Sequence, residues 1–177
     1  MGKVLVINFS SRDNGNCKVI ANYVKEIFPE SVVYNFSDLD FTRCGQCSYE
    51  CFRTATCPKE DGLTCLNKEL LDSTKIVFVV PNYCGFPCSN YFIYNERTCG
   101  LFAGRRDLLQ KYLEIDKDFL IVSNSNFQVL KDAMSYQVSN KENVKCLFIS
   151  SRNYANNSLG LWSYDEKVKT DIQEYFK

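Results

Sequence analysis

Five segments of this sequence are predominantly apolar, and they restrict its fold more than any other feature. They have the length and the β-branched or aromatic content of buried strands. They cover residues 3–9, 32–36, 75–80, 118–122 and 144–150. A continuous apolar run such as KIVFVV at 75–80 is typical of a strand that is covered on both faces. We therefore predict a parallel sheet with helices packed on either side.

The stretches between these strands carry apolar residues at helical spacing. Four stripes occur, namely Val19, Ile20, Val24, Ile27 and Phe28; Leu108, Leu109, Tyr112 and Leu113; Val129, Leu130, Ala133, Met134 and Val138; and Val168, Ile172, Tyr175 and Phe176. Ser163 and Glu166 have the spacing of a capping box at the start of the last helix. Strands and helices that alternate in this way predict an α/β fold. In so short a chain they favour a flavodoxin-like three-layer sandwich, with a five-stranded parallel sheet in the order 2-1-3-4-5.

Composition and charge limit the organisation and the partners of the chain. No linker or repeat is visible, so we predict a single domain over residues 1–177 in which only a Cys-rich segment at 43–66 breaks the pattern. The formal net charge of +0 gives no reason to expect nucleic acid or an anionic membrane as a partner. No apolar run is long enough to span a bilayer, and the N-terminus does not have the pattern of a signal peptide, so we expect a cytoplasmic protein.

The counts of histidine and cysteine restrict the chemistry. The sequence has 0 histidines, which excludes Ser–His and Cys–His catalysis and every His-ligated metal site. It has 10 cysteines, which in a cytoplasmic protein are expected to be thiols, metal ligands or redox groups rather than a disulfide framework.

Polar loops follow three of the predicted strands. The first, at 10–17, contains hydroxyl groups, Arg12 and an Asn-Gly turn, and it leads into a helix whose N-terminal amides suit a phosphate. Taken alone, these residues fit a simple turn and helix cap equally well. Loops at 81–87 and 123–126 have a similar character, and the topology places all three at one edge of the sheet. Together they predict a ligand site.

The order of these motifs matches a known pattern. Residues 9–17 (FSSRDNGNC) correspond to Gly-Ser-Pro-Arg-x-x-Gly-Asn-Thr, and residues 81–97 (PNYCGFPCSNYFIYNER) to a Pro-x-Tyr-Trp/Phe-Gly loop followed by a Ser-bearing helix ending in Asp-Arg. Pro81, Tyr83, Gly85, Ser89 and Arg97 carry the second match. Over roughly residues 1–150 the chain thus resembles the NAD(P)H-dependent FMN reductases of the flavodoxin-like family, and within that family the iron–sulfur flavoproteins most.

The resemblance implies a set of FMN-binding residues. The phosphate would lie among Ser10, Arg12, Asn14, Gly15, Asn16 and Cys17. The isoalloxazine ring would be lined by Pro81, Asn82, Tyr83, Cys84 and Gly85, with Ser123 and Asn124 at its far edge. The sequence departs from the family at Phe9, which replaces a glycine and is expected to crowd the loop, at Cys17, which replaces a threonine, and at Cys84, where an aromatic residue is common.

The Cys-rich segment contains Cys44-x2-Cys47-x3-Cys51-x5-Cys57, with Cys65 further on. Four thiolates on so short a segment can hold a [4Fe–4S] cluster, and the iron–sulfur flavoproteins carry a compact four-Cys motif at this place. Thiols beside the flavin, reduced or oxidised, and a zinc site that uses Cys44 and Cys47 with two of Cys51, Cys57 and Cys65 remain alternatives. Cys88, Cys99 and Cys146 are assigned to no site.

The activity implied by the resemblance is hydride transfer from NADH or NADPH to FMN, followed by reduction of a small-molecule or protein acceptor. The flavin supplies the chemistry, so no catalytic side chain is required. With a cluster present, the second step becomes one-electron transfer. A homodimer or homotetramer is implied as well. The alternative from another class is a non-enzymatic carrier or metal-binding module on the same fold.

Overall fold

The computed structural model describes residues 2–45, 47–54, 56–123, 128–154, 162 and 165–177. Within these ranges the strands are β1 (Val4–Asn8), β2 (Val32–Asn35), β3 (Lys75–Tyr83), β4 (Phe86–Pro87), β5 (Asp116–Ser123) and β6 (Lys145–Ser150). The helices are α1 (Asn16–Ile27), α2 (Glu50–Thr54), α3 (Gly62–Leu70), α4 (Ser89–Phe102), α5 (Arg106–Glu114), α6 (Gln128–Ser135) and α7 (Glu166–Tyr175). Short 3-10 turns at Phe36–Asp38 and Ser151–Asn153 follow β2 and β6.

The sheet has the predicted topology. Its long strands are parallel and lie in the order β2-β1-β3-β5-β6, which is the order 2-1-3-4-5 when parallel strands alone are numbered. Strand β4 was not predicted, and it pairs with β3 in the antiparallel sense. The flavodoxin-like α/β prediction is therefore confirmed, with one short hairpin added at the end of β3.

Residues of alternate orientation along the strands build two separate cores. Leu5, Ile7, Ile76 and Phe78 face helices α3, α4, α5 and α6 on one side of the sheet. Val6, Val77 and Val79 face α1 and α7 on the other side. This alternation is the period-2 geometry of a strand, and because both faces are apolar the sheet is covered on both sides. The three-layer arrangement follows.

One predicted helix cap is wrong. Asp165 is the N-cap of α7, and its carboxylate accepts hydrogen bonds from the amides of Lys167 and Val168 at 3.1 and 3.4 Å. Glu166 is the first residue of α7, whereas a capping box requires it at position N3. Ser163 lies outside the described residues. Among the described residues, no helix is long and apolar enough to cross a membrane.

Candidate functional site

The loop after β1 is organised by its own hydrogen bonds. The amide of Ser10 donates to Asn8 Oδ1 at 3.0 Å, and the amide of Arg12 donates to Ser10 Oγ at 3.1 Å. Asn8 is itself fixed, because its amide group donates to Asn35 Oδ1 on β2 at 3.0 Å. Ser10 is buried, and a hydroxyl that accepts one hydrogen bond still has a proton to donate. The loop therefore presents a positioned hydroxyl donor beside the start of α1.

The N-terminus of α1 is open toward this loop. Gly15 is the N-cap and has no side chain with which to cap the helix, and the first turn contains no acidic residue. A Cβ atom at Gly15 would lie 3.2 Å from Cβ of Arg12, which is tighter than an ordinary contact, and 3.8 Å from Oγ of Ser10, so glycine allows Arg12 to pack closely on the helix end. Amide groups and a partial positive charge at a helix N-terminus attract anions, and the nearby guanidinium adds to this attraction.

Three predicted phosphate contacts have different roles in the loop. Asn14 is exposed on the loop surface. The side chain of Asn16 accepts a hydrogen bond from the amide of Trp162 at 3.4 Å. The thiol of Cys17 is buried in the core with Val6 and Ile20, and burial raises its pKa to about 12. The backbone amides of Asn16 and Cys17 at the start of the helix are therefore better suited to bind a phosphate than their side chains are.

Phe9 does not crowd the loop, which corrects the expectation from sequence. Its side chain is fully buried on the α4 side of the sheet, with ring centroids 4.9 Å from Phe36 and 5.3 Å from Tyr91. Its backbone carbonyl accepts from Asn90 Nδ2 at 2.9 Å and from the Cys88 thiol at 3.3 Å. The ring thus points away from the loop and stabilises the strand end that supports it.

Residues 81–87 form a hairpin instead of an irregular loop. Strand β3 continues through Pro81 and Asn82 to Tyr83, and β4 returns from Phe86. The two residues between the strands, Cys84 and Gly85, have φ angles of 54° and 90°, as two-residue hairpin turns require. At the tip, the paired side chains of Tyr83 and Phe86 are 52% and 57% exposed. The hairpin therefore presents two aromatic rings and a thiol at the ligand edge of the sheet.

Side-chain amides link the end of β3 to the end of β5, and the start of α4 to the loop after β1. Asn82 Nδ2, near the end of β3, donates to Ser123 Oγ at the end of β5 at 2.5 Å. Asn90, at the start of α4, donates to the Phe9 carbonyl and also to Ser11 Oγ at 3.1 Å. The predicted convergence of the loops after β1, β3 and β5 is therefore observed as far as Ser123, while Asn124 lies outside the described residues. Asn90 was not singled out from the sequence.

The cysteine segment forms a second site on the α4 side of the sheet. A cavity of about 480 Å³ is lined by all four motif cysteines, Cys44, Cys47, Cys51 and Cys57. Cys65, in contrast, is exposed on α3 and does not line this cavity. All ten cysteines fall in the described ranges and none forms a disulfide. The four motif cysteines thus line one cavity.

Two residues of α4 complete this cavity, and sequence reasoning assigned neither of them to it. Cys99 and the buried Arg97 both line it. The Arg97 guanidinium also binds Asp61, the N-cap of α3, with an Nη1–Oδ2 distance of 2.7 Å. Burial lowers the pKa of Arg97, but the hydrogen bond to Asp61 and the adjacent Cys57 outweigh this and raise it above its ordinary value. A cation is therefore fixed in the wall of a thiol-lined cavity.

Among the described residues, no group of three or more Cys, Asp or Glu side chains is placed to hold one metal ion. A mononuclear zinc centre needs its four ligands about 2.3 Å from one ion. The observed arrangement therefore does not support the zinc alternative, and it does not show a [4Fe–4S] cluster either.

Comparison with known proteins identifies the fold. No family model and no curated protein matches this sequence. Solved structures do match, including RosB with the bound intermediate 8-demethyl-8-formylriboflavin-5'-phosphate (TM-score 0.68, 13% identity, 99% of this chain and 76% of RosB). The Trp repressor binding protein from Bacillus subtilis matches with a TM-score of 0.63 and 14% identity, over 99% of this chain and 97% of that one. An NAD(P)H:quinone oxidoreductase from Methanothermobacter marburgensis matches with a TM-score of 0.63 and 9% identity, over 98% and 95%. The fold is flavodoxin-like.

A shared fold does not by itself assign an activity. In open α/β sheets, ligands bind beyond the carboxyl ends of the strands, where the strand order reverses. In this chain that position lies between β1 and β3, at the strand ends that lead into the loop after β1 and into the β3–β4 hairpin. Topology and local geometry thus indicate the same candidate ligand site.

Proposed function

We propose that this chain binds FMN at the ends of β1, β3 and β5 and acts as an NAD(P)H-dependent oxidoreductase. The observation that carries the proposal is an open helix N-terminus with a positioned hydroxyl and an arginine after β1, at the same sheet edge as a hairpin with exposed aromatic rings. The names of matching structures point the same way, because RosB was solved with a riboflavin phosphate and another match is an NAD(P)H:quinone oxidoreductase.

The residues present fit the parts of FMN. The phosphate would be held by the backbone at the start of α1, by the Ser10 hydroxyl and by Arg12, which packs closely on Gly15. The ring would lie against the hairpin, where Tyr83 and Phe86 offer apolar surface and the Cys84–Gly85 turn offers backbone amides. Asn82 and Ser123 would border its far edge.

When bound, FMN accepts a hydride from a nicotinamide and passes electrons to an acceptor. The role of the chain is to hold and orient the flavin and to leave one face open for the nicotinamide. Burial keeps the thiols of Cys17 and Cys88 protonated, since it raises both of their pKa values. These two thiols therefore do not place negative charge beside the phosphate. As in the resembling family, we propose that the active form is a homodimer or homotetramer.

The visible spectrum of freshly purified protein tests this function. Two flavin bands, together with release of FMN on denaturation and steady-state NAD(P)H oxidation, are expected. A colourless protein whose spectrum and fluorescence do not change on titration with FMN would contradict the proposal. A protein that binds FMN without oxidising NADH or NADPH would support the carrier alternative instead.

A second function is favoured by the cysteine cavity. We propose that it holds a [4Fe–4S] cluster, which makes the protein an electron-transfer flavoprotein. A cubane cluster binds each thiolate through a different iron, so its ligands are spread farther apart than those of one ion. The support for this proposal is a cavity of about 480 Å³ whose wall carries all four motif thiols. Iron and acid-labile sulfide, measured on protein purified without oxygen, test this function.

A further inference from the structure

A cavity of about 470 Å³, which we call the helix cavity, lies between α4, α5 and α6. Its wall is mainly apolar and includes Phe92, Phe102, Leu109, Leu113 and Tyr136. Phe92 and Tyr136 are exposed, so the cavity is open to solvent. Of the described residues that line it, none is an acidic or basic residue and none belongs to the proposed FMN site. Small-molecule sites in proteins have this apolar character and enclose about 300–1,000 Å³.

A small polar network is part of the wall of the helix cavity. Gln137 Nε2 donates to Asn95 Oδ1 at 2.5 Å, and the Tyr112 hydroxyl donates to Gln137 Oε1 at 2.6 Å. The hydroxyl oxygens of Tyr112 and Tyr94 are themselves 2.9 Å apart and share a hydrogen bond. Each of the two side-chain amide oxygens therefore already accepts a hydrogen bond from a neighbour.

The donors of this network are not all used. Within the described ranges, the side chain of Asn95 forms hydrogen bonds through Oδ1 alone, so its NH2 group has no acceptor. The Tyr91 hydroxyl is buried and has no hydrogen-bond partner among these residues. The side chains of Gln137 and Asn95 lie near it, but not with the geometry of a hydrogen bond. A buried hydroxyl without a partner costs free energy, which an acceptor brought by a ligand would remove.

These features restrict the chemistry of a ligand. A charged ligand would lose hydration without gaining an ion pair, because no Asp, Glu, Lys or Arg of the described residues lines the helix cavity. Aromatic side chains in its wall favour a flat ring; Phe102 and Tyr112, for example, pack with their ring centroids 4.9 Å apart. The unused donors call for a carbonyl oxygen. A flat, uncharged aromatic compound with a carbonyl group has all of these properties.

We propose that the helix cavity is a further binding site of this chain, which takes a flat, uncharged aromatic compound that carries a carbonyl group. The carbonyl oxygen accepts hydrogen bonds from the NH2 group of Asn95 and from the Tyr91 hydroxyl, while the ring lies against the apolar wall. The site is formed by helices alone, so the proposal does not depend on FMN or on a cluster. A second copy of the chain is the competing occupant, and the test distinguishes the two.

The probe for the test is 2-naphthamide, and its control is 2-naphthoate, which has nearly the same shape but carries a negative charge. Binding of each compound is measured by saturation-transfer NMR and by titration calorimetry, in the presence of excess FMN. The wild type is expected to bind the amide about tenfold or more tightly than the carboxylate, because the cavity would bury the charge without a counter-ion.

Two substitutions locate the bound amide. Ala133→Phe places a ring in the helix cavity from α6 and should abolish binding. Tyr91→Phe removes one hydroxyl and should weaken binding about fivefold, the typical contribution of one hydrogen bond. It should not lower the thermal stability of the free protein, because this hydroxyl has no partner to lose. Tyr49→Phe removes an exposed hydroxyl outside the helix cavity and should change neither quantity.

Equal affinity of the wild type for the amide and the carboxylate would contradict the proposal. So would wild-type binding of the amide by Ala133→Phe and Tyr91→Phe together. If the wild type binds neither compound, the small-molecule site is wrong, and sedimentation then shows whether a second copy covers this face, since Ala133→Phe would convert dimers to monomers. Loss of binding in Ala133→Phe supports the site only at wild-type thermal stability; if that variant does not fold, Tyr91→Phe decides. FMN content of the same samples reports separately on the flavin function.

Discussion

Arg97 and Asp61 form a bidentate ion pair, in which Nη1 lies 2.7 Å from Oδ2 and Nη2 lies 2.9 Å from Oδ1. The side chains are 1% and 11% exposed. Asp61 also accepts hydrogen bonds from the amides of Thr64 and Thr42, each at 3.1 Å. One carboxylate therefore joins α4 to α3 and to the start of the cysteine segment, and so connects the cavity wall with the core.

Replacement of Asp61 by Asn should destabilise the protein strongly. It leaves the buried Arg97 cation without its counter-charge, and breaking a buried pair in this way costs about 3–5 kcal/mol. Urea unfolding gives the free energy of unfolding directly. Asp72→Asn is the matched control, because Asp72 is exposed just beyond α3 and its substitution should change that free energy by less than about 0.5 kcal/mol. If both variants lost the same free energy of unfolding, the Arg97–Asp61 pair would make no specific contribution to stability.

Arg12→Ala should weaken FMN binding about tenfold or more, because it removes a charge-assisted contact to the phosphate. Riboflavin, which lacks the phosphate, should bind the variant and the wild type equally. Fluorescence quenching on titration measures both affinities. Arg106→Ala removes the same charge from the exposed start of α5 and should leave both affinities unchanged. An equal effect of Arg12→Ala on FMN and riboflavin would place the phosphate elsewhere.

Asn90→Asp tests whether α4 positions the loop after β1. The substitution keeps the shape of the side chain but removes the donor to the Phe9 carbonyl and to Ser11 Oγ, and it places a carboxylate against that carbonyl. The expected cost is about 1–3 kcal/mol in the free energy of unfolding, with weaker FMN binding as the loop loses its support. Asn143→Asp, on an exposed turn, is the control for the added charge. Retention of wild-type stability and FMN affinity by Asn90→Asp would refute this positioning role.

Much of the fold could be predicted from the sequence because it depends on local patterns. The apolar strands and their alternation with helices are local, and the strand order then follows from general rules of α/β topology. Even the position of Phe9 was accessible, since Leu5, Ile7 and Phe9 alternate along one strand face and so share one core. The hairpin at β3–β4 was harder to predict, because Cys84 occupies a turn position where Asn, Asp or Gly is the usual signal.

The cysteine cavity was only partly predictable for a different reason. The four motif cysteines are close in sequence, so their proximity in space is a local property. Cys99 lines the same cavity as these cysteines because α4 packs against both α2 and α3. A cysteine on an apolar helix is usually a core residue, and no feature of the sequence around Cys99 indicates which distant segment lies opposite.

Lys117 should give the stability of this protein a distinctive dependence on pH. Its side chain is buried at the start of β5, where Nζ donates to the carbonyl of Ile115 at 3.0 Å and lies 4.2 Å from the centre of the Tyr112 ring. Burial lowers the pKa of Lys117 to about 7, whereas in the unfolded chain it keeps its ordinary value of 10.5. Between these values the unfolded state binds the extra proton, so the free energy of unfolding should rise with pH, by at most about 1.4 kcal/mol per unit.

Lys117→Met cannot titrate, and the difference between wild type and variant, measured by urea unfolding at pH 7, 8 and 9, should increase across the series. Lys111→Met removes an exposed lysine from α5, so its free energy of unfolding should differ from that of the wild type by the same amount at each pH. If Lys117→Met also gave the same difference at each pH, the buried amine would remain charged in the folded protein.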